Sequence, residues 1–96
     1  MFCRLIRYAI KPDRIEEARA LGDGILAMSR NLVGVKELIN LQRSNGTGIL
    51  IGIYADKESA DAAAPRIVES LSQIVHLLVD APVPEAYRVI NHEVIE

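Results

Sequence analysis

Apolar and polar positions along the chain alternate between two periods. From Phe2 to Ile10 they follow the short, β-branched pattern of a strand, stopped by Pro12. Arg4, Ile6, Tyr8 and Ile10 fall on one face of it, and Cys3, Leu5, Arg7 and Ala9 on the other. From Asp13 the period becomes helical. Ile15, Ala18, Gly22, Ile25, Met28 and Leu32 recur at helical spacing, while Arg14, Glu17 and Asp23 fall on the solvated side. Asp13, three residues before Glu16, has the spacing of a helix cap. Gly22 and Gly24 weaken this helix, each costing about 1 kcal/mol relative to Ala. Close packing of another element against Gly22 is the expected reason for it, a locally loosened helix the alternative.

The two-residue period returns over Val35 to Ala55, read as VKELINLQR, SNGT, GILIGIYA. Asn45-Gly46 marks a hairpin, because both residues tolerate the positive φ of a type I′ turn. A two- or four-residue loop sets Ser44 opposite Thr47. Leu41 then faces Leu50, Asn40 faces Ile51, Ile39 faces Gly52, Leu38 faces Ile53 and Glu37 faces Tyr54. In that register Val35, Glu37, Ile39, Leu41, Leu50, Gly52 and Tyr54 share one sheet face. Lys36, Leu38, Asn40, Gln42, Ile49, Ile51 and Ile53 share the other, and an odd-length loop would change the assignment.

Asp56 is placed to cap a second helical region. Its apolar stripe is Ala60, Ala64, Ile67, Leu71, Ile74 and Leu78, widened by Ala63, Val68 and Val75. Pro65 lies inside the stripe, so the pattern predicts a short helix to Ala64 and a longer one starting at Pro65. Pro82 and Pro84 end it, and Ala86 to Ile95 alternates as a fourth strand. The order strand, helix, strand, strand, helix, strand predicts an α+β, ferredoxin-like sandwich. It forms a single domain over residues 1–96, with a four-stranded antiparallel sheet carrying both helices on one face.

Two helices cover only one face of such a sheet, yet strand three is apolar on both. An exposed face would leave an apolar patch of several hundred Å², which monomers rarely tolerate. Two sheets meeting face to face about a two-fold axis remove it, so a homodimer is expected. Composition narrows the classes further. The charge of −2 is mild and the cations are dispersed, which points away from nucleic acid. Cys3 is the single cysteine, and no Cys/His cluster has metal-ligand spacing. No signal peptide or membrane span is legible, so a soluble cytoplasmic protein without a membrane partner is expected. No phosphate loop or Ser-His-Asp context appears either.

Three stretches carry a resemblance across nearly the whole chain: KPDRIEEA leading into the first helix, NLVGV before strand two, and IYADKESADAAAP after strand three. With this topology they resemble the dimeric α/β-barrel superfamily, and within it the antibiotic-biosynthesis-monooxygenase-like domains. The resemblance implies a pocket inside each subunit, between helices and sheet. It also implies cofactor-independent oxidation of quinol-like or polyketide aromatics, or haem degradation; many members have no assigned activity. Active oxygenases of that family use an Asn in strand one and a Trp just after strand three, and haem degraders a His on the later helix. The corresponding positions here fall near Leu5, at Tyr54 and at His76.

Tyr54 and His76 are therefore the candidate catalytic residues. Tyr54, at a strand-to-helix junction, could bind a phenol or donate to a developing oxyanion, or be a sheet-edge Tyr with a wet hydroxyl. His76 could act as base, proton donor or haem ligand, or be a partly buried or exposed histidine without a role. Tyr8, Glu37 and Arg7 are candidate ligand-binding residues, Glu37 as partner of the Tyr54 hydroxyl and an inward Arg as a carboxylate or enolate clamp. Surface ion pairing of Arg4 or Arg7 with Glu93, Glu96 or another surface carboxylate is the plainer reading. Asn40 and Gln42 are expected among isoleucines in the dimer interface. The expected function is binding of a small apolar or aromatic molecule by a homodimer. Monooxygenase chemistry would need no cofactor; the alternatives are a non-catalytic binding or dimerising accessory module, and haem binding through His76.

Overall fold

The computed structural model describes residues 1–96, apart from the side chains of Ile25, Met28 and Ser29. The expected places of Ile25 and Met28 in the helical stripe lie outside the described residues. The elements run β1 (Phe2–Ala9), α1 (Ile15–Ser29), β2 (Val35–Gln42), β3 (Thr47–Tyr54), α2 (Lys57–Leu71) and β4 (Val83–Arg88). Short 3₁₀ turns at Pro12–Arg14 and Val75–Leu77 precede α1 and follow α2. The strands form one antiparallel sheet in the order β2-β3-β1-β4, which is the expected ferredoxin-like arrangement.

One sheet face carries the helices. Phe2 and Tyr54 are cross-strand partners and pack with Ala60 and Ala63 of α2. At the other end of β1, Ile10 packs with Ala18 of α1 and with Leu77 and Leu78. The small side chains of Ala18, Ala60 and Ala63 let both helices approach the sheet closely. The core thus consists of two packed ends, one at each end of β1, with Ile6 and Leu50 opposed between them.

The hairpin register differs from the expected one by a single residue. Arg43 N–H donates to Thr47 O at 2.8 Å and Gly46 N–H donates to Arg43 O at 3.0 Å, closing a three-residue loop, Ser44 to Gly46. Gly46 has φ +92°, whereas Asn45 does not enter the positive-φ region. The turn is therefore the type I form with a glycine bulge, not I′. The Asn45 side chain accepts instead from the Thr47 N–H at 3.1 Å and hydroxyl at 2.7 Å. Leu41 consequently pairs with Ile49, Asn40 with Leu50, Ile39 with Ile51 and Leu38 with Gly52. A one-residue slip turns a whole strand over. Leu38, Asn40 and Gln42 join Leu50 and Tyr54 on the helix side; Glu37, Ile39 and Leu41 join Ile49, Ile51 and Ile53 on the open side. A bulge between Val35 and Glu37 sets Val35, not Glu37, opposite Tyr54.

Other local expectations are also corrected. Asp13 does not cap α1: Pro12 starts a 3₁₀ turn whose cap position is Lys11, with Arg14 N–H on Lys11 O at 2.9 Å. Proline's fixed φ suits that first position, so helical geometry begins before Asp13 can act as a cap. Pro65 does not divide α2. The carbonyl deprived of its donor belongs to Asp61, and Asp61 and Pro65 are both exposed residues, on the side of the helix open to solvent. The helix stops instead at Leu71, leaving His76 on the following turn. Val68 and Val75 do not widen the buried stripe, being 66% and 47% exposed. Asp56 does cap α2, accepting from Ser59 N–H at 2.7 Å. The fourth strand runs Val83–Arg88 rather than Ala86 to Ile95. Its ladder ends where β1 ends, at Phe2 opposite Arg88, and Pro84 is tolerated because β4 is an edge strand.

Candidate ligand-binding site

Between the two packed ends of the core, sheet and helices do not close fully. A cavity of about 80 Å³ lies under α1. Its floor is the sheet face formed by Ile6, Tyr8, Asn40, Gln42 and Leu50, and its α1 wall is Ala18, Arg19, Gly22, Asp23 and Leu26. Gly22 was expected to be pressed by another element. Instead a Cβ built at Gly22 meets nothing within 4 Å, and the missing side chain contributes to the opening. Leu71, Ile74 and Leu78 close the far side.

The polar groups of the floor, Tyr8, Asn40 and Gln42, lie together, and Arg19 and Asp23 stand on the α1 wall. The Tyr8 hydroxyl donates to Asn40 Oδ1 at 2.6 Å, across the intervening strand β3. The ring reaches this position by lying over Gly48, its cross-strand partner, where a Cβ would fall 2.4 Å from ring and hydroxyl atoms. Glycine in β3 is therefore required by a close approach. Burial pushes the Tyr8 hydroxyl above its ordinary pKa, while the amides of Asn40 and Gln42 act in the opposite direction. At neutral pH it is a neutral hydroxyl with a fixed amide partner, able to exchange hydrogen bonds with a ligand hydroxyl or carbonyl.

A second cavity of about 70 Å³ adjoins the first, and Ile6 and Leu50 border both. It lies under α2 and is lined by Leu38, Ala64, Ile67 and Val68, with Arg4 and Tyr54 as its polar members. Tyr54 is 1% exposed, and its ring lies over Gly52. Burial raises its pKa, and the neighbouring Arg4 charge partly opposes the rise. Arg4 Nη2 donates to Asp61 Oδ1 at 2.5 Å, and its Nε is buried without a partner among the described residues.

The expected site residues are dispersed. Tyr8 borders the first cavity and Tyr54 the second. His76 is exposed, and neither cavity includes it; its main-chain carbonyl accepts from Lys11 Nζ at 3.0 Å. Tyr54 belongs to the Phe2 end of β1 and His76 to the Ile10 end, about 25 Å apart along the strand. The structure does not bring them together. Glu37 and Arg7 are on the open sheet face: Glu37 lies 3.9 Å from His92 Nε2, and Arg7 Nε donates to Glu85 at 2.8 Å. The expected Glu37–Tyr54 pair is thus removed by the register, and the ion-pair reading of Arg7 holds with Glu85 as its partner. Asn40 and Gln42 move from an expected interface to the cavity floor. The glycines at 48 and 52, four residues apart on one face of a strand, were the available signal for that floor. Among the described residues no group of three His, Cys, Asp or Glu is placed to hold a metal ion, and no helix is long and apolar enough to cross a membrane.

Comparisons with known proteins place this geometry in a structural class. No family model matches the sequence, and no curated protein matches it either. Solved structures do. A protein of unknown function from Nitrosomonas europaea superposes with TM-score 0.86 at 16% identity, over 99% of this chain and 94% of that one. A second Nitrosomonas europaea protein, provisionally named an antibiotic biosynthesis monooxygenase, gives 0.84 at 14% identity over 95% and 100%. One from Deinococcus radiodurans with the same provisional name gives 0.83 at 14% identity over 100% and 99%. The fold is therefore that of the antibiotic-biosynthesis-monooxygenase-like domains, as the sequence resemblance implied.

Proposed function

We propose that the protein is a homodimer, joined through its open sheet faces, in which each subunit binds a small apolar or aromatic molecule in the cavity under α1. The observation that carries the binding reading is the Tyr8–Asn40 hydrogen bond inside that cavity. A pocket that is apolar except for a few convergent hydrogen-bonding groups suits a ring system carrying a hydroxyl or carbonyl. Its volume of about 80 Å³ is smaller than a cavity that encloses benzene, so a ring system enters only as α1 moves outward from the sheet.

The dimer reading rests on the open face. Ile39, Leu41 and Val83 are 41%, 48% and 59% exposed there, around the isoleucines of β3. Polar pairs stand at its margins, Arg7–Glu85–Tyr87 beside β4 and Glu37–His92 beside β2. An apolar centre with a polar rim is the anatomy of a protein interface.

For the chemistry, the reading is cofactor-independent oxidation of a quinol-like substrate. One atom of O₂ enters the ring carbon, the other leaves as water, and the substrate supplies the electrons. Tyr8 and Asn40 would hold the substrate oxygen, and Asp23 is the carboxylate among the described residues bordering the cavity. The Tyr54 and His76 pairing has less support, because the two stand at opposite ends of β1. A non-catalytic binding module is the second reading. It is favoured by the cavity floor, whose polar groups are a neutral phenol and two amides.

Naphthol fluorescence tests binding. Saturable binding is expected, weakened about tenfold in Tyr8→Phe, the loss of one good hydrogen bond. Absence of saturation in the wild type contradicts the reading. Oxygen uptake with quinols then separates the two forms of it: substrate-dependent uptake supports the oxygenase, and binding without uptake supports the module.

A further inference from the structure

We infer that residues 90–95 of each subunit add to the free edge of β2 in the partner subunit as a fifth strand. This rests on the dimer proposed above. The sequence alternates as one strand from Ala86 to Ile95, yet the ladder stops at Arg88. β1 offers nothing to pair with beyond Phe2, and the Val89 N–H donates to Met1 O at 3.1 Å. The chain then leaves β4 and crosses the end of the sheet. It brings His92 Nε2 to 3.9 Å from Glu37 on β2, the opposite margin. Among the described residues no backbone hydrogen bond holds residues 90–96. Ile90, Val94 and Ile95 are 74%, 70% and 87% exposed. Alternating aliphatic side chains left in solvent, on a backbone without partners, describe a strand that lacks a sheet.

β2 is an edge that lacks a strand. It ends the sheet, so one side of it presents unpaired N–H and C=O groups. The bulge between Val35 and Glu37 blunts only its first residues. Residues 37–42 pair regularly with β3 and leave an edge as long as residues 90–95. β4, the other edge, is interrupted by Pro84, which has no N–H to offer. Lys36 and Arg43 flank the β2 stretch, and Glu96 follows the C-terminal one. Paired end to end, Glu96 meets Lys36 of the partner subunit if the strands run antiparallel, and Arg43 of the partner subunit if they run parallel. Charge favours the contact in both directions. Reach favours it too. In an aligned two-fold packing of the open faces, the partner's β2 lies over β4 or over β2. Those are the two margins that the C-terminal segment joins. Each subunit gives one strand and receives one, so the strand exchange closes on itself.

The test uses two full-length variants, Glu93→Pro and Val94→Pro. Both residues are exposed, and neither N–H has a described backbone partner in its own chain, so both variants should fold. Adjacent N–H groups of a strand point to opposite sides, so one of the two faces β2 and the other faces solvent. In sedimentation equilibrium one variant should dimerise about tenfold more weakly than the wild type, and the other about as tightly. Hydrogen exchange of the wild type should show slowed amides within residues 90–95 that lose their protection on dilution to monomer. Equal dimer affinity of the two variants, or unprotected amides at residues 90–95 in the wild-type dimer, overturns the strand exchange and leaves the dimer standing. A wild type that is monomeric at micromolar concentration overturns both.

Discussion

Two tyrosines lie flat over two glycines, and this pairing shapes the space beneath the helices. Tyr8 covers Gly48 and Tyr54 covers Gly52. A Cβ at Gly52 would fall 2.8 Å from the Tyr54 hydroxyl oxygen and 2.9 Å from its nearest ring carbon. Gly52→Ala should therefore cost about 1–3 kcal/mol through overpacking. The cost should not add to that of Tyr54→Ala, because the two positions share one contact. Urea denaturation of both single variants and the double variant measures this. Additive losses would show that Tyr54 does not lie over Gly52. At this scale the sequence was only partly legible. Two glycines four residues apart on one face of an otherwise β-branched strand were an available sign of a close approach, but nothing in the chain says which ring fills it. The residues at the cavity floor, Asn40 and Gln42, could be read correctly only once the strand register was known.

Among the elements, the hairpin decides most. Asn45-Gly46 is compatible with a two-residue I′ loop and with a three-residue loop ending in a positive-φ glycine. Both bring the strands together, so the hairpin was legible and its register was not. Side-chain satisfaction separates the two: Asn45 uses its carboxamide oxygen on Thr47, and Gly46 alone takes the left-handed conformation. Helix ends were legible where a side chain could reach a free N–H, as at Asp56, and misread where proline acted first, as at Pro12. Pro65 was misread because its cost depends on whether the orphaned carbonyl meets water, which is a tertiary property. The Asp56 cap carries a pH prediction. Bonding to Ser59 lowers the Asp56 pKa. A lowered folded-state pKa contributes stability above the ordinary carboxylate value, lost as pH falls through the folded value. Asp56→Asn retains a capping oxygen but cannot titrate. Its urea midpoint should fall less between neutral and acid pH than the wild type's, with Asp61 and Glu85 titrating in both. Equal falls would mean that the cap does not feel the charge.

At the scale of the molecule, the proposal of a partner rests on one fact: a two-helix layer covers one face of a four-stranded sheet. The face left open has isoleucines at 49, 51 and 53, with Leu5, Ile39 and Leu41 from the flanking strands. At roughly 25 cal/mol per Å², covering a few hundred Å² of it favours association by several kcal/mol before the entropy of binding is subtracted. Ile51 pairs with Leu5 on one side and Ile39 on the other. Ile51→Lys should therefore convert the proposed dimer to monomer in sedimentation velocity while far-ultraviolet circular dichroism stays unchanged. A wild type that sediments as a monomer at micromolar concentration would leave the open face without its partner.

The proposed dimerisation through the open face would leave the helix-side cavities to a ligand, and filling the first of them is the most direct test of that division. Gly22 borders it, and a Cβ added there would have no neighbour within 4 Å. Leucine at this helical position should gain about 0.8 kcal/mol in propensity while occupying the space a ligand needs. Naphthol titration of the wild type and Gly22→Leu is the decisive measurement. Saturable binding by the wild type, and its loss in a variant that remains folded and dimeric, is the predicted result; equal binding by both proteins, or none by the wild type, would contradict the account.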